Sequence, residues 1–182
     1  LFIAGMNAEC FPEAYRVLAD DPHFDLQQHA YSHEPFKCIA EERDDEMQTR
    51  VFRPCLPSQA VFEDLLRGEQ AVTSAVGCRP VGLTAPFAYW RGLGDQPLVL
   101  ETLWDLGYRF VRSYGRTPTD YQPLPVDQAQ PFRYELQGFS GLMEIPITGW
   151  HDVGFKTRFG WEEVARFADY VCGELDRLAG TD

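Results

Sequence analysis

A chain of 182 residues can bury a sizeable hydrophobic core as one domain. Apolar residues make up 45% and charged residues 24%, the balance of an ordinary globular protein rather than a disordered tail. A net charge of −12 with no basic stripe argues against nucleic acid or a polyanionic glycan as partner, and no run of about 18 apolar residues exists to span a bilayer.

The chain opens on LFIAG, a short apolar run closed by Gly5, which predicts a buried strand over Leu1–Ala4. It starts without Met and without a signal-peptide pattern, as a strand already under way, so a fragment that has lost any targeting segment is expected. Pro12 in a first turn, Phe11, Tyr15 and Leu18 on one face and Pro22 beyond the end predict a helix over 11–20. Phe24–Gln27 reads as a second strand leading into His29 and His33. Residues 34–56 read as irregular, and AEERDDEMQTR within them as a solvated loop or helix. A helix follows from Ser58, its expected cap, to Gly77, with Val61, Leu65, Val72 and Val76 on one side.

PVGLTAPF is a short strand entering a proline turn. The next helix takes Asp95 as cap, Pro97 in its first turn and Gly107 as stop. YRFVR (108–112) and LMEIPI (142–147) read as strands; Glu144 could face the interior or solvent. The clearest helix lies within 161–178, where Val164, Phe167, Val171, Leu175 and Leu178 repeat at helical spacing. Strands alternating with helices predict an α/β fold with parallel strands, whose chemistry gathers at the strands' carboxyl edge. His29 and His33, the turn Thr84–Phe87 and the segment TGWHD (148–152) all follow predicted strands and converge there.

Cys10, Cys38, Cys55, Cys78 and Cys172 show no zinc-type spacing. Five dispersed cysteines fit free thiols in a reducing compartment, which favours the cytoplasm, with two bridges and a spare thiol as the alternative and the cell envelope left open.

Neutral imidazole is the commonest protein ligand for zinc-like ions, and two histidines four apart on a helical turn would point the same way. The flanking residues add a pattern. LFIAGMNAECFPEAYRVLADDPHFDLQQHAYSH, RPVGLTAPF, DQPLVLETLWDLGYRFVRS and GLMEIPITGWHD, in that order, resemble the polysaccharide deacetylase family (NodB homology domain) over most of the chain. The resemblance implies a distorted barrel of the (β/α)7 type, incomplete here at both ends. It implies a divalent metal, usually zinc, held by His29, His33 and an upstream Asp. It also implies removal of N- or O-acetyl groups from a carbohydrate, or, in other branches, cleavage of small amides as in the allantoinase-like branch.

The family's first motif, an Asp-Asp segment carrying the base, would precede Leu1. Ala30 stands where Ser or Thr is usual, so a hydroxyl that stiffens the loop is lost, while Ser32 remains beside His33. Thr84 replaces the Arg expected to pair with the catalytic carboxylate; Arg91 is the candidate to reach back. Thr84, Pro86, Phe87 and Trp150 are expected to line the substrate. The Leu-x-His motif that supplies the general acid is absent, which leaves His151 as candidate proton donor; its alternative is a plain loop residue beside Trp150. His23 lies on a helix exit, and Asp152 is expected to cap or face water. Trp90 and Trp150 are better placed to stack on sugar than Trp104 and Trp161, which read as core. A degenerate, non-catalytic carbohydrate-binding member is the remaining reading, favoured by Thr84 and Ala30.

Overall fold

Strands and helices do alternate along the chain. The computed structural model describes residues 1–42, 50–160 and 164–180, beginning with β1 (Phe2–Ile3), α1 (Gly5–Cys10) and α2 (Pro12–Ala19). Then come β2 (Gln27–Gln28), the antiparallel pair β3 (Ile39–Glu42) and β4 (Arg50–Arg53), and the long helix α3 (Ser58–Val76). β5 (Gly82–Tyr89), α4 (Pro97–Asp105), β6 (Phe110–Tyr114), β7 (Phe132–Tyr134) and β8 (Phe139–Glu144) follow, and after them α5 (Asp152–Phe159) and α6 (Val164–Ala179).

The main sheet has the order β1-β2-β5-β6-β8-β7. Its pairings are parallel as far as β8, and β7 runs against β8. Parallel neighbours need crossovers, which α1 with α2, α3 and α4 supply. Among the described residues the sheet is open rather than closed on itself. On its concave side the Phe110 ring leans over Gly82 toward Phe2, and the two ring centres are 6.5 Å apart.

Alternation gives the sheet two faces. Ile3, Leu83, Val111, Leu142 and Glu144 turn to the covered side and are buried. Phe2, Thr84, Phe110, Arg112 and Met143 alternate with them on the concave side and are half-buried. α3 joins two cores: Val61 and Leu65 pack with Leu83, Leu100 and Leu142, while Ala71, Val72 and Ala75 pack with Ile3, Ala8 and Leu26. Where α1 meets α3, a Cβ on Gly5 would stand 2.8 Å from the Gly68 Cα, and one on Gly68 would stand 2.2 Å from Gln28 Nε2. Only glycine permits that approach.

Several elements differ from expectation. α1 fills residues that the sequence pattern left between the first strand and the first helix. The strand expected at 24–27 is Gln27–Gln28, and YRFVR is shifted to Phe110–Tyr114. Ser58 does not cap α3: Pro57 holds that position, with no side-chain cap, and Gly77 stops the helix at φ 79° as expected. Asp95 does not cap α4 either; its carboxylate lies 2.7 Å from Lys37 Nζ, and Gln96 is the cap residue. The strand expected at 142–147 ends at Glu144, although the Ile145 and Ile147 N–H groups still donate to Val111 and Tyr114 carbonyls at 2.8 and 2.7 Å. Within the span 34–56, expected to be irregular, Ile39–Glu42 and Arg50–Arg53 pair as the antiparallel β3 and β4. That pairing brings Cys38 and Cys55 to a Cα separation of 4.5 Å, where they form a disulfide. The expectation of five free thiols is corrected: Cys10, Cys78 and Cys172 are the free ones, all exposed. Residues 43–49 of the charged run and Trp161 lie outside the described residues.

Candidate metal and substrate site

The His29 N–H donates to the Ile3 carbonyl at 2.8 Å, carrying the β1–β2 ladder one residue further. There the chain leaves the sheet. Ala30 (φ 58°) and His33 (φ 62°) adopt left-handed backbone, so the segment is a loop and not the helical turn expected from its spacing. The loop is clamped on two sides. Gly5 and Met6, at the start of α1, donate their N–H groups to the Ala30 and Tyr31 carbonyls at 2.8 and 3.2 Å. Asp64 on α3 accepts the Tyr31 and Ser32 N–H groups at 2.9 and 3.0 Å. Ala30 has no hydroxyl to stiffen the loop; the Asp64 carboxylate does so from outside it.

His29 and His33 come together. Their ring centres are 4.6 Å apart, with planes at 77°. Two imidazoles bonded tetrahedrally to one zinc ion at about 2.1 Å would place their ring centres roughly 5.3 Å apart, so the pair needs to open by less than about 1 Å to share an ion. His29 Nδ1 lies 2.6 Å from the Thr84 carbonyl. A carbonyl can only accept, so Nδ1 carries the proton and Nε2 is left as the free lone pair, the tautomer a metal-binding histidine needs. Burial pulls the pKa of both rings down, His33 and Arg112 adding to the effect on His29 and Arg53 to that on His33. The Thr84 carbonyl opposes it at His29 and Glu34 at His33. Both are thus biased to the neutral form that ligates. Among the described residues, no group of three His, Cys, Asp or Glu side chains could hold an ion.

Thr84 serves here through its carbonyl, and its Oγ1 is buried without a partner. Beyond it β5 bulges: Phe87 (φ 68°) and Ala88 (φ 51°) are consecutive left-handed residues, with Pro86 buried beneath them. Such backbone persists only where surroundings enforce it. Arg116 does so, its Nε donating to the Phe87 and Ala88 carbonyls at 3.1 and 3.0 Å. Its Nη1 also reaches the Ala40 and Asp120 carbonyls at 3.2 and 3.1 Å. The bulge sets the Phe87 ring 5.0 Å from that of His33. Trp90 packs against Tyr114, and Arg91, which was expected to reach back, is exposed and lies over the Trp90 ring at 5.3 Å.

Trp150 and His151 follow β8 at the same carboxyl edge. The Trp150 N–H donates to the Tyr170 hydroxyl at 3.0 Å and its ring sits edge-on to Phe159, so it packs on α5 and α6. His151 is the N-cap of α5: Nδ1 accepts the Gly154 N–H at 3.0 Å, which puts the proton on Nε2, 3.4 Å from Gln122 Oε1. Its pKa is lowered by burial and by Arg116, against the pull of Asp152. Asp152 itself is exposed and pairs with Lys156 at 3.4 Å, and His23, also exposed, bonds Asp21. Trp104 is exposed beside Phe139 rather than in the core.

Two residues escaped the sequence reading. Glu144, left open there, faces the covered side, fully buried, where Ser113 N–H and Oγ, Tyr114 N–H and the Tyr134 hydroxyl all donate to it. Burial pushes its pKa up against those donors. Arg112 pairs with Thr84 across the β5–β6 ladder and enters the concave face. The alternation Phe110, Arg112 within YRFVR was the available signal.

This parallel sheet, with helices on one side and a loop-built rim at the strand ends, is a fold that the chain shares with solved structures. Among solved structures, the chain is similar to one described as Puue allantoinase, with a TM-score of 0.59 and 18% identity over 98% of this chain and 49% of that one. It is similar as well to a "probable polysaccharide deacetylase" from Pseudomonas aeruginosa PAO1, with a TM-score of 0.58 and 20% identity over 98% of this chain and 50% of that one. The chain therefore spans about half the length of each. No protein-family model and no curated protein sequence matches it.

Proposed function

We propose that this chain carries the metal-binding and substrate-lining half of a metal-dependent hydrolase that removes N- or O-linked acetyl groups from a carbohydrate. One observation carries the reading: two neutral-biased imidazoles meet at the strand carboxyl edge, one of them locked by the Thr84 carbonyl in the ligating tautomer. His29 and His33 would hold a divalent ion of the zinc type, which when bound supplies Lewis acidity to the carbonyl and lowers the pKa of water. The chain's own groups do the rest of what is visible here. The Asp64 clamp and the α1 N-terminus fix the two rings. The Phe87 face beside His33 and the Pro86 turn wall the substrate and exclude water.

A general-acid role for His151 belongs to the same proposal. It requires Nδ1 to exchange its cap bond for a proton, so the test must separate the two duties. His151→Asn keeps a capping side chain and removes the proton donor. Loss of acetyl release in that variant, with α5 intact by circular dichroism, supports the role; retained turnover removes it.

The main reading is tested by zinc titration and an acetyl-release assay on acetylated oligosaccharides. Wild-type protein should bind zinc, and His29→Ala or His33→Ala should lose at least about tenfold in affinity. Tight zinc with no hydrolysis by a longer chain would leave a non-catalytic carbohydrate binder, which the Thr84 substitution favours. The likeness to an allantoinase fold supports a second reading, hydrolysis of small amides. A panel of acetylated sugars against ureides decides between them.

A further inference from the structure

β3 and β4 form a two-stranded sheet of their own, apart from the main one. A lone pair of strands is marginal in water unless other contacts hold it. β3 and its approach are held well. Phe36 donates its N–H to the Tyr89 hydroxyl at 2.7 Å, and Lys37 Nζ reaches the Trp90 and Gly92 carbonyls. Ile39 is buried in the core, and Ala40 bonds both Asp120 and Arg116. β4 has less. Arg50 reaches the Thr119 carbonyl at 3.0 Å, and Phe52 is exposed. At the far end of β4 the Cys38–Cys55 bond, and the Leu56 N–H on the Pro35 carbonyl at 2.9 Å, tie the chain back to the approach of β3. That end lies on the rim. Arg53, two residues before Cys55, holds its guanidinium 4.5 Å over the Phe87 ring, and the Phe87 ring lies 5.0 Å from that of His33.

We propose that Cys38–Cys55 is a redox-operated latch on this wall of the cleft, opened by small thiols of the glutathione class. Cys38 is exposed, so a reductant reaches the bond. Cys10, Cys78 and Cys172 are free and exposed as well. Exposed free thiols suit a thiol-buffered compartment, where a disulfide is more often switched than permanent. A thiolate attacks one sulfur, the S–S bond breaks, and the other cysteine leaves as a thiolate and takes up a proton. A second thiol attacks the mixed disulfide and releases the first cysteine. The two small thiols supply both electrons and end as their own disulfide, and the protein gains two thiols. The Cys55 N–H, 3.2 Å from Cys38 Sγ, stabilises charge on that sulfur as the bond opens. Opening leaves β3 seated on Asp120 and Arg116 and frees residues 53–57, so Arg53 moves off Phe87 and the ring loses its cover beside His33. The consequence for zinc rests on the proposed metal site; the movement of the wall does not.

The test places the metal-free full chain in glutathione buffers of graded ratio. Alkylation and peptide mapping follow Cys38 and Cys55, far-UV circular dichroism follows the fold, and NMR follows the Phe87 and His33 rings. The bond is expected to open with the dichroism retained, and both rings should shift in step with the appearance of free Cys38 and return on reoxidation. A bond that opens only as the dichroism collapses is a structural staple and overturns the proposal. An opened bond with Phe87 and His33 unmoved overturns it too. Both readouts come from wild-type protein, so they decide whether or not a variant folds. Zinc titration then compares oxidised wild-type protein with the Cys38→Ser/Cys55→Ser variant, without reductant, which would itself bind the metal. The folded variant should bind at least about tenfold more weakly; equal affinity overturns the latch as a control on the site. Rings that move in a protein that binds no zinc in either form reject the metal reading and leave the latch standing.

Discussion

At the scale of single residues, the rim histidines carry a pH signature. His29, His33 and His151 all have pKa values lowered in the folded chain, with burial as the largest cause. Below the unfolded value of about 6.5 the unfolded chain then binds more protons than the folded one. The contribution to stability is therefore complete above that pH and is lost as the pH falls through it toward the folded values. Urea midpoints of metal-free protein should fall between about pH 7 and pH 5, and His29→Gln should flatten the slope. Which histidines to watch could be read from the sequence, since HAYSH sits at a strand exit. What locks His29 could not: the partner is a backbone carbonyl 55 residues away, and a carbonyl leaves no trace in residue identity. Arg112 was missed for a related reason. It faces the side opposite Val111, and alternation within YRFVR separates the two faces without saying which of them the helices cover.

Among the elements, α3 decides the shape of the site. Gly→Ala inside a helix ordinarily stabilises by about 1 kcal/mol through propensity. At Gly68 the sign should reverse. The new methyl would stand 2.2 Å from Gln28 Nε2, itself held by the Leu65 carbonyl, and 3.0 Å from the backbone of Ala30 and Tyr31. Gly68→Ala is expected to cost about 1–3 kcal/mol and to weaken zinc binding, read by thermal melts and titration on the same sample. The hairpin offers a separate check. Its disulfide closes a separation of 17 residues, for which chain entropy gives about 3 kcal/mol. Replacing both Cys38 and Cys55 by Ser should lower the urea midpoint accordingly, and reductant should do the same to wild-type protein and nothing to the variant. α2, α3 and α6 were readable from their apolar spacing, and Gly77 marked the end of α3, whereas α1 and α5 were not read as helices. The caps were not readable, because Pro57 and Gln96 take those positions without side-chain bonds while Asp95 is drawn off to Lys37. The β3–β4 pair was hidden because it is short and largely polar, with exposed Phe52 where a core residue would be sought.

For the molecule as a whole, the two cores share one helix, and that should make them unfold together. Leu65 is fully buried in one cluster and Val72 in the other, less than two turns further along α3. Leu65→Ala should cost about 2–5 kcal/mol, with circular dichroism and tryptophan fluorescence still melting in one coincident transition. Separate transitions would show that α3 does not couple the halves. That the strands run mostly parallel was legible from their alternation with helices, but their order in the sheet was not. Packing across its concave face was not legible either, since contacts such as Phe2 with Phe110 join positions more than a hundred residues apart.

Arg116 gathers carbonyls from the hairpin, from the β5 bulge and from the loop after β6 onto one guanidinium. A flap hinged on any one of those segments would have to release several charge-assisted bonds at once. The part of the rim that Arg116 ties together is therefore a fixed frame. Ligands should arrive by simple diffusion into a prepared cleft, and their association traces should show one phase proportional to concentration, with no slow isomerisation behind it.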